Sequence, residues 1–269
     1  MDREKELRWW QFIRNAELME AMKYFPSDKQ IKILEIGGRF GYQAKIISDM
    51  GCDIVSIDIY PQDPQHYPVQ KGSINQLNFD SNTFDLIFSS HMLQEIDDVG
   101  KAFNEIKRVL KKNGLIIHIV PSSWWSLITN FWHYLLIPKY LANSSTAKQI
   151  FNLDNNRKSE EGGVKDKNVH SAQKNLKRLF LHPLGISPSF VHEIYYFSNF
   201  FWKKLFENYE FKIIYIKNCP YFYSAYGIFK MRFLKIRKLL AKCCFPSCYC
   251  FVLKKTSSNK FNTTTKRKI

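Results

Sequence analysis

Continuous apolar runs and helix-spaced apolar positions alternate through the first 120 residues. Residues 31–36 (IKILEI) form a short apolar run that stops at Gly37 and Gly38, and 42–50 then carry apolar side chains at helical intervals until Gly51 ends the pattern. A second run, 54–57, ends at Asp58. A third, 84–89, follows the turn-forming DSNT stretch; 99–110 is patterned as an amphipathic helix that stops at Lys111, Lys112 and the Asn113-Gly114 break, and 115–120 is the next run. Short runs separated by helical segments predict βαβ units, and therefore a doubly wound, mostly parallel sheet with helices on both faces, an α/β, Rossmann-like fold class.

After Pro121 the rhythm changes. The stretch 124–141 (WWSLITNFWHYLLIPKYL) is apolar, but Asn130, His133, Pro138 and Lys139 interrupt it, so it is not expected to span a membrane. Residues 152–174 are polar and predicted to be a loop, and 121–190 as a whole read as an insertion covering the acceptor side. Helical spacing returns over 190–208, strand patterns over 210–216 and 249–253, and a basic, apolar segment at 226–242 lies between those strands. The resulting organisation is an N-terminal helix (1–25), a Rossmann-like core (26–120), the insertion (121–190), a C-terminal part of the sheet (191–255) with a basic insertion at 218–246, and a basic tail (256–269) predicted to be disordered. The N-terminal helix has early acids and no uninterrupted apolar core, unlike a secretory signal, so a cytoplasmic protein is expected.

Composition sharpens the picture at one point. Hydrophobic residues make up 45% and charged residues 24% of the 269-residue chain, which excludes wholesale disorder and low-complexity architectures. Lys and Arg exceed Asp and Glu by 40 − 24 = 16, and residues 211–269 hold no acid at all, so most of the excess sits at the carboxyl end and an anionic partner is implied. Four of the 6 cysteines crowd into 243–250, CCFPSCYC. No second cluster completes a zinc site there, so they read as small apolar fillers in a reducing compartment and no metal is expected.

Candidate chemistry concentrates at the first strand-to-helix turn, Leu34-Glu35-Ile36-Gly37-Gly38-Arg39-Phe40-Gly41. Glycines there let a ligand approach backbone N–H groups, and Asp58, at the end of the following strand, is placed to accept both hydroxyls of a ribose. The dinucleotide fingerprint G-x-G-x-x-G fails in register, because its third and sixth positions are Arg39 and Tyr42. The stretch instead resembles motif I of the class I S-adenosylmethionine-dependent methyltransferases (type 11 domain), with Glu35, Gly37 and Gly41 matching and Arg39 in place of the middle glycine. The segments FDLI, HMLQEIDD and KAFNEIKRVLKKNGLIIHIV follow in the family's order, so the resemblance covers residues 30 to 120. It implies a seven-stranded sheet with an antiparallel last strand and S-adenosyl-L-methionine as cofactor. Glu35 and Gly37 would lie along its methionine part, Gly38 and Gly41 would also contact it, Asp58 would hold the ribose and Ile59 would pack on the adenine. Ser73 and Ile74 stand where the family often has an acid for the adenine amino group, and Ser90 would sit beside the sulfonium.

The fourth strand runs into Ser-Ser-His-Met. It lacks the Asn/Asp-Pro-Pro-aromatic turn of enzymes acting on base amino groups, and no Pro-Cys nucleophile follows. The expected acceptor is a hydroxyl on a sugar or other small envelope-related molecule, with His91 or His182 as catalytic base; His192 and Glu193 are further candidates. The segment holding His182 and His192 resembles the substrate side of glycan methyltransferases. The 226–242 segment, with Trp124, Trp125, Phe131, Trp132 and Tyr134, suggests peripheral contact with an anionic membrane. An RNA methyltransferase, suggested by charge alone, and an inactive binding protein of the same fold are the alternatives.

Overall fold

The computed structural model describes residues 2–27, 30–142 and 187–256. Among them the chain runs α1 (Asp2–Met22), β1 (Lys32–Ile36), α2 (Tyr42–Asp49), β2 (Asp53–Asp58), β3 (Val69–Lys71), β4 (Phe84–Ser90), α3 (Val99–Val109), β5 (Leu110–Pro121), α4 (Ser123–Ala142), α5 (Phe190–Tyr196), α6 (Asn199–Asn208), β6 (Phe211–Asn218), α7 (Leu234–Cys243) and β7 (Cys248–Lys255). The seven strands form one sheet in the order β3-β2-β1-β4-β5-β7-β6. β1 to β5 pair in parallel, and β7 runs antiparallel between β5 and β6.

The period-two alternation of a strand builds two apolar layers. Ile33, Leu86, Phe88, Ile117, Ile119, Cys250 and Val252 pack against Trp9, Ile13, Leu18 and Ala21 of α1 and Ala44 and Ile47 of α2. Leu34, Ile87, Ile116, Phe251 and Leu253 face the other way, onto Phe103 and Ile106 of α3 and Trp202 and Phe206 of α6. Cys248 and Cys250 are buried β7 residues, whereas Cys243 and Cys244 are exposed at the end of α7.

Three sequence boundaries change. The Asn113-Gly114 pair does not stop a helix: α3 ends at Val109, and β5 begins at once with Leu110 beside Phe84. A register shift between Phe84 and Leu86 absorbs the extra residues, with Lys111 Nζ held 2.8 Å from Asp85 Oδ2. The 190–208 pattern is two helices, because Ser198 turns the chain and caps α6 by accepting the Phe201 N–H at 3.1 Å. β3, only 3 residues long, carries too short a pattern to read as a strand in sequence. No helix among the described residues is long and apolar enough to cross a membrane. The polar 152–174 stretch, His182 and the tail beyond Thr256 lie outside the described residues.

Candidate active site

In an open parallel sheet the crevice forms at the carboxyl ends of the strands, where neighbouring crossovers leave in opposite directions. Here that place is between β1 and β4, and the turn after β1 is drawn over it. The N–H groups of Gly37 and Gly38 both donate to Ile57 O, at 2.9 and 3.1 Å. Gly38 permits the close approach: a Cβ on it would lie 1.9 Å from Ser56 Oγ and 2.8 Å from Glu35 Oε2. Arg39 adopts φ 49°, so this turn takes the left-handed conformation despite a full side chain, at a cost of about 1–2 kcal/mol. Its N–H donates to Asp58 Oδ2 at 2.9 Å, and the Tyr60 N–H donates to Oδ1 at 2.8 Å. Asp58 is thereby fixed across the turn with acceptor lone pairs to spare. Ile59 and Tyr60 beside it are half exposed, forming an apolar wall.

Glu35 lies beneath the turn. Its side chain is buried and accepts the Ser56 hydroxyl at 2.5 Å, and burial, opposed by that hydrogen bond and reinforced by the nearby Asp58 charge, pushes its carboxyl up to about 7. Ser73 Oγ accepts the Asn75 N–H at 3.2 Å, and Ile74 is buried. Three buried polar atoms nearby in sequence have no partner among the described residues: Asn75 Oδ1, Ser90 Oγ and Gln94 Oε1. Asn75 and Gln94 escaped the sequence reading because neither belongs to a recognisable motif; a lone buried amide leaves no periodic trace.

His91 follows β4 at φ 55° with its N–H on Ile119 O at 2.8 Å. Its Nε2 lies 3.1 Å from Glu17 Oε2 and 3.6 Å from Cys248 Sγ. Glu17, 1% exposed, accepts Arg14 Nη1 on Oε2 at 2.6 Å and the Tyr223 hydroxyl on Oε1 at 2.5 Å. Burial alone would raise the Glu17 carboxyl, but Arg14 and His91 outweigh it and hold it far below the usual carboxylate range. Burial, aided by Arg14, lowers His91, so its imidazole stays neutral near neutral pH. Burial raises the Cys248 thiol and the Tyr223 phenol well above their usual values, leaving both protonated. Glu17, His91 and Cys248 bring potential metal-ligand atoms within 4.8 Å of one another, but the Glu17 oxygens are already occupied by the guanidinium and the phenol.

Among the described residues, His192 and His118 make their hydrogen bonds outside this cluster. His192 is exposed at the start of α5 on Ser189 Oγ at 2.7 Å, and Glu193 is buried against the Ser126 hydroxyl. His118 is buried with Nδ1 2.6 Å from Ser89 Oγ, and burial lowers it to about 3.

Residues 34–118 match a family model described as a methyltransferase domain. Among curated proteins, an uncharacterized protein of Methanocaldococcus jannaschii, MJ0638, is 29% identical over 108 residues, covering 39% of this chain and 47% of its own. The uncharacterized methyltransferase YcgJ of Bacillus subtilis is 25% identical over 138 residues, covering 41% and 54%. The chain thus matches these two relatives over about half of their length. Among solved structures, a chain from a complex of the Haloferax volcanii Trm112 methyltransferase activator with a putative methyltransferase superposes with TM-score 0.53 at 13% identity, over 96% of this chain and 94% of that one. A putative S-adenosylmethionine-dependent methyltransferase of Listeria monocytogenes gives 0.52 at 11%, over 90% and 99%. Those two likenesses concern the fold; with the family match and the strand order they make residues 34–118 a class I methyltransferase domain, whose cofactor is S-adenosylmethionine.

Proposed function

We propose that this protein transfers a methyl group from S-adenosylmethionine to a hydroxyl of a sugar or other small envelope-related acceptor, with His91 as the base. The observation that carries the reading is the Glu17–His91 pair at the carboxyl end of β4, 3.1 Å apart, with Glu17 buried, His91 part-buried and the next residue, Met92, packed against Gly37 of the glycine turn.

The described residues fit the cofactor. Gly38 lets the turn pack directly onto Ser56 and Glu35, Asp58 presents a fixed carboxylate to ribose hydroxyls, and the orphaned Asn75 and Ser90 oxygens are buried acceptors awaiting donors. When bound, the cofactor supplies a methyl on a sulfonium, open to in-line displacement. The chain's part is alignment and proton removal. His91 Nε2 donates to Glu17, which fixes the tautomer and leaves Nδ1 as the free lone pair. Nδ1 then takes the acceptor's hydroxyl proton, and the carboxylate stabilises the imidazolium that forms. The lowered His91 supports this role, since a base must start neutral.

The envelope assignment draws on the strand-end Ser-Ser-His-Met in place of a base-amino motif, and on the surface of α4 and the 226–242 segment. Phe131, Leu135, Phe233, Ile236 and Leu239 are exposed there among lysines, as in an interfacial segment meeting an anionic membrane. Glycan and metabolite profiling of a deletion strain tests the reading. Loss of one methyl from an envelope sugar is expected; loss from ribosomal or transfer RNA instead would overturn it.

A further inference from the structure

Arg237 is 5% exposed, yet among the described residues no carboxylate answers it: the side chains acting on its charge are the phenols of Tyr221 and Tyr223. Its Nε donates to Phe222 O at 2.7 Å, its Nη1 to Lys230 O at 2.6 Å, and the guanidinium stacks 4.2 Å from the Trp9 ring. Nη2 donates to nothing among the described residues. Trp9 is fully buried and its Nε1 also has no partner. Of these two residues only Arg237 reaches the lining of the neighbouring cavity. The backbone of Gly227 at φ 53° lies against that indole; a Cβ there would be 2.9 Å from Nε1.

That cavity, of about 220 Å³, lies between α4, the 222–229 segment and α7. Its walls are apolar, including Ile128, Trp132, Phe222, Ile228, Phe229 and Leu240, with Gly227 and Arg237 also on the lining. An apolar hole walled by a buried cation without a counterion is poorly explained by core packing, because a desolvated guanidinium is costly unless an anion offsets it.

We infer that this cavity binds a single-chain amphiphile with an anionic carboxylate or phosphate head, its chain among Ile128, Ile228 and Leu240 and its head on the Arg237 guanidinium. Alongside it, α7 offers exposed Lys235, Lys238, Lys242 and Leu239, with Ile236 exposed on the lining itself, so the approach is basic and apolar, complementary to such a ligand. Burial lowers the Arg237 guanidinium to about 10, the expected mark of a desolvated cation that an anion would restore. The site is separate from the glycine turn, and its existence does not depend on methyl transfer.

The test is calorimetric titration of the full chain with decanoate, decyl phosphate, decanol and inorganic phosphate, all below micelle-forming concentrations. Decanoate and decyl phosphate are expected to bind one per chain, decanol about tenfold or more weaker, and inorganic phosphate not at all. Ile128→Trp, which fills the cavity, should abolish chain binding while the melting transition stays intact. Arg237→Gln, which keeps donors for the backbone carbonyls, should weaken decanoate about tenfold and leave decanol unchanged. The Trp9 indole N–H resonance, assigned with Trp9→Phe, should move on adding decanoate. Equal affinity for decanol and decanoate, binding of inorganic phosphate that survives Ile128→Trp, or adsorption to phosphatidylglycerol vesicles with no one-to-one decanoate binding would each overturn the proposal.

Discussion

Replacing Glu35 by Gln isolates the one acid that folding drives toward neutrality. Its folded-state pKa of about 7 lies above the ordinary 4.5, so the protein is stabilised by keeping the acid protonated below about pH 4.5 and loses that advantage as pH rises through 7. The side chain is only 2% exposed, so solvent screening discounts little. A rise of about 2.5 units is worth about 3 kcal/mol at full ionisation. Glu35→Gln keeps the shape and the oxygen that accepts the Ser56 hydroxyl while removing the ionisation. The variant should therefore match the parent near pH 4.5 and exceed it by up to about 3 kcal/mol at pH 8. Urea denaturation at pH 4.5, 6, 7 and 8 without cofactor measures the difference directly. His118 opposes this slope in the parent, because a folded pKa of about 3 removes stability as pH falls below about 6.5. The parent's own curve is accordingly flattened between pH 4.5 and 6.5, and the variant uncovers the His118 slope. A Glu35→Gln offset that is the same at pH 4.5 and pH 8 would refute the reasoning.

Asp58→Ala should weaken S-adenosylmethionine binding by about 1–3 kcal/mol in calorimetry, since ribose hydroxyls lose a charged acceptor and the Arg39 and Tyr60 N–H groups lose theirs. Arg39→Gly should raise stability toward urea by up to about 1 kcal/mol, the left-handed strain relieved being partly offset by the entropy of an added glycine. His91→Ala should leave cofactor affinity unchanged and cut turnover about 100-fold or more once the acceptor is in hand, and Glu17→Gln should lower turnover while shifting the pH–rate profile. Phe131→Ser combined with Leu135→Ser should reduce flotation with anionic vesicles, and raising salt should reduce it further.

The core of the fold was legible because it obeys local rules. β1, β2, β4 and β5 carry continuous apolar runs, since both faces of a parallel sheet are buried, and Asp58 and the glycine turn fall at strand ends where periodicity stops. What escaped had no local signature. β3 is 3 residues long and borrows its order from β2; the Lys111–Gly114 stretch has the look of a helix stop, but the ion pair to Asp85 and the pairing of Leu110 beside Phe84 decide otherwise. His91 was readable as a strand-end residue, whereas its partners were not. Glu17 sits on an N-terminal helix whose apolar face it interrupts, and sequence alone gives no reason to bury an acid there.

On the proposed reading, that burial makes the N-terminal helix part of the chemistry's support. Glu17 lies 74 residues from His91 and 206 from Tyr223, yet all three meet in one hydrogen-bonded cluster, with Arg14 supplying the neutralising charge. Removing Arg14 would leave a buried carboxylate and a neutral imidazole sharing one site, and the carboxylate would then rise or pull a proton onto His91. Either change moves the base away from its neutral, oriented form. The hydrogen bonds that fix Asp58 come from Arg39 and Tyr60 and involve none of Arg14, Glu17 or His91, so on the proposed reading cofactor binding and acceptor activation rest on different side chains. Arg14→Met should consequently spare S-adenosylmethionine affinity and move the acidic limb of the turnover profile to higher pH, because His91 would gain its proton more readily. An unchanged acidic limb would show that His91 is not the group that takes the proton.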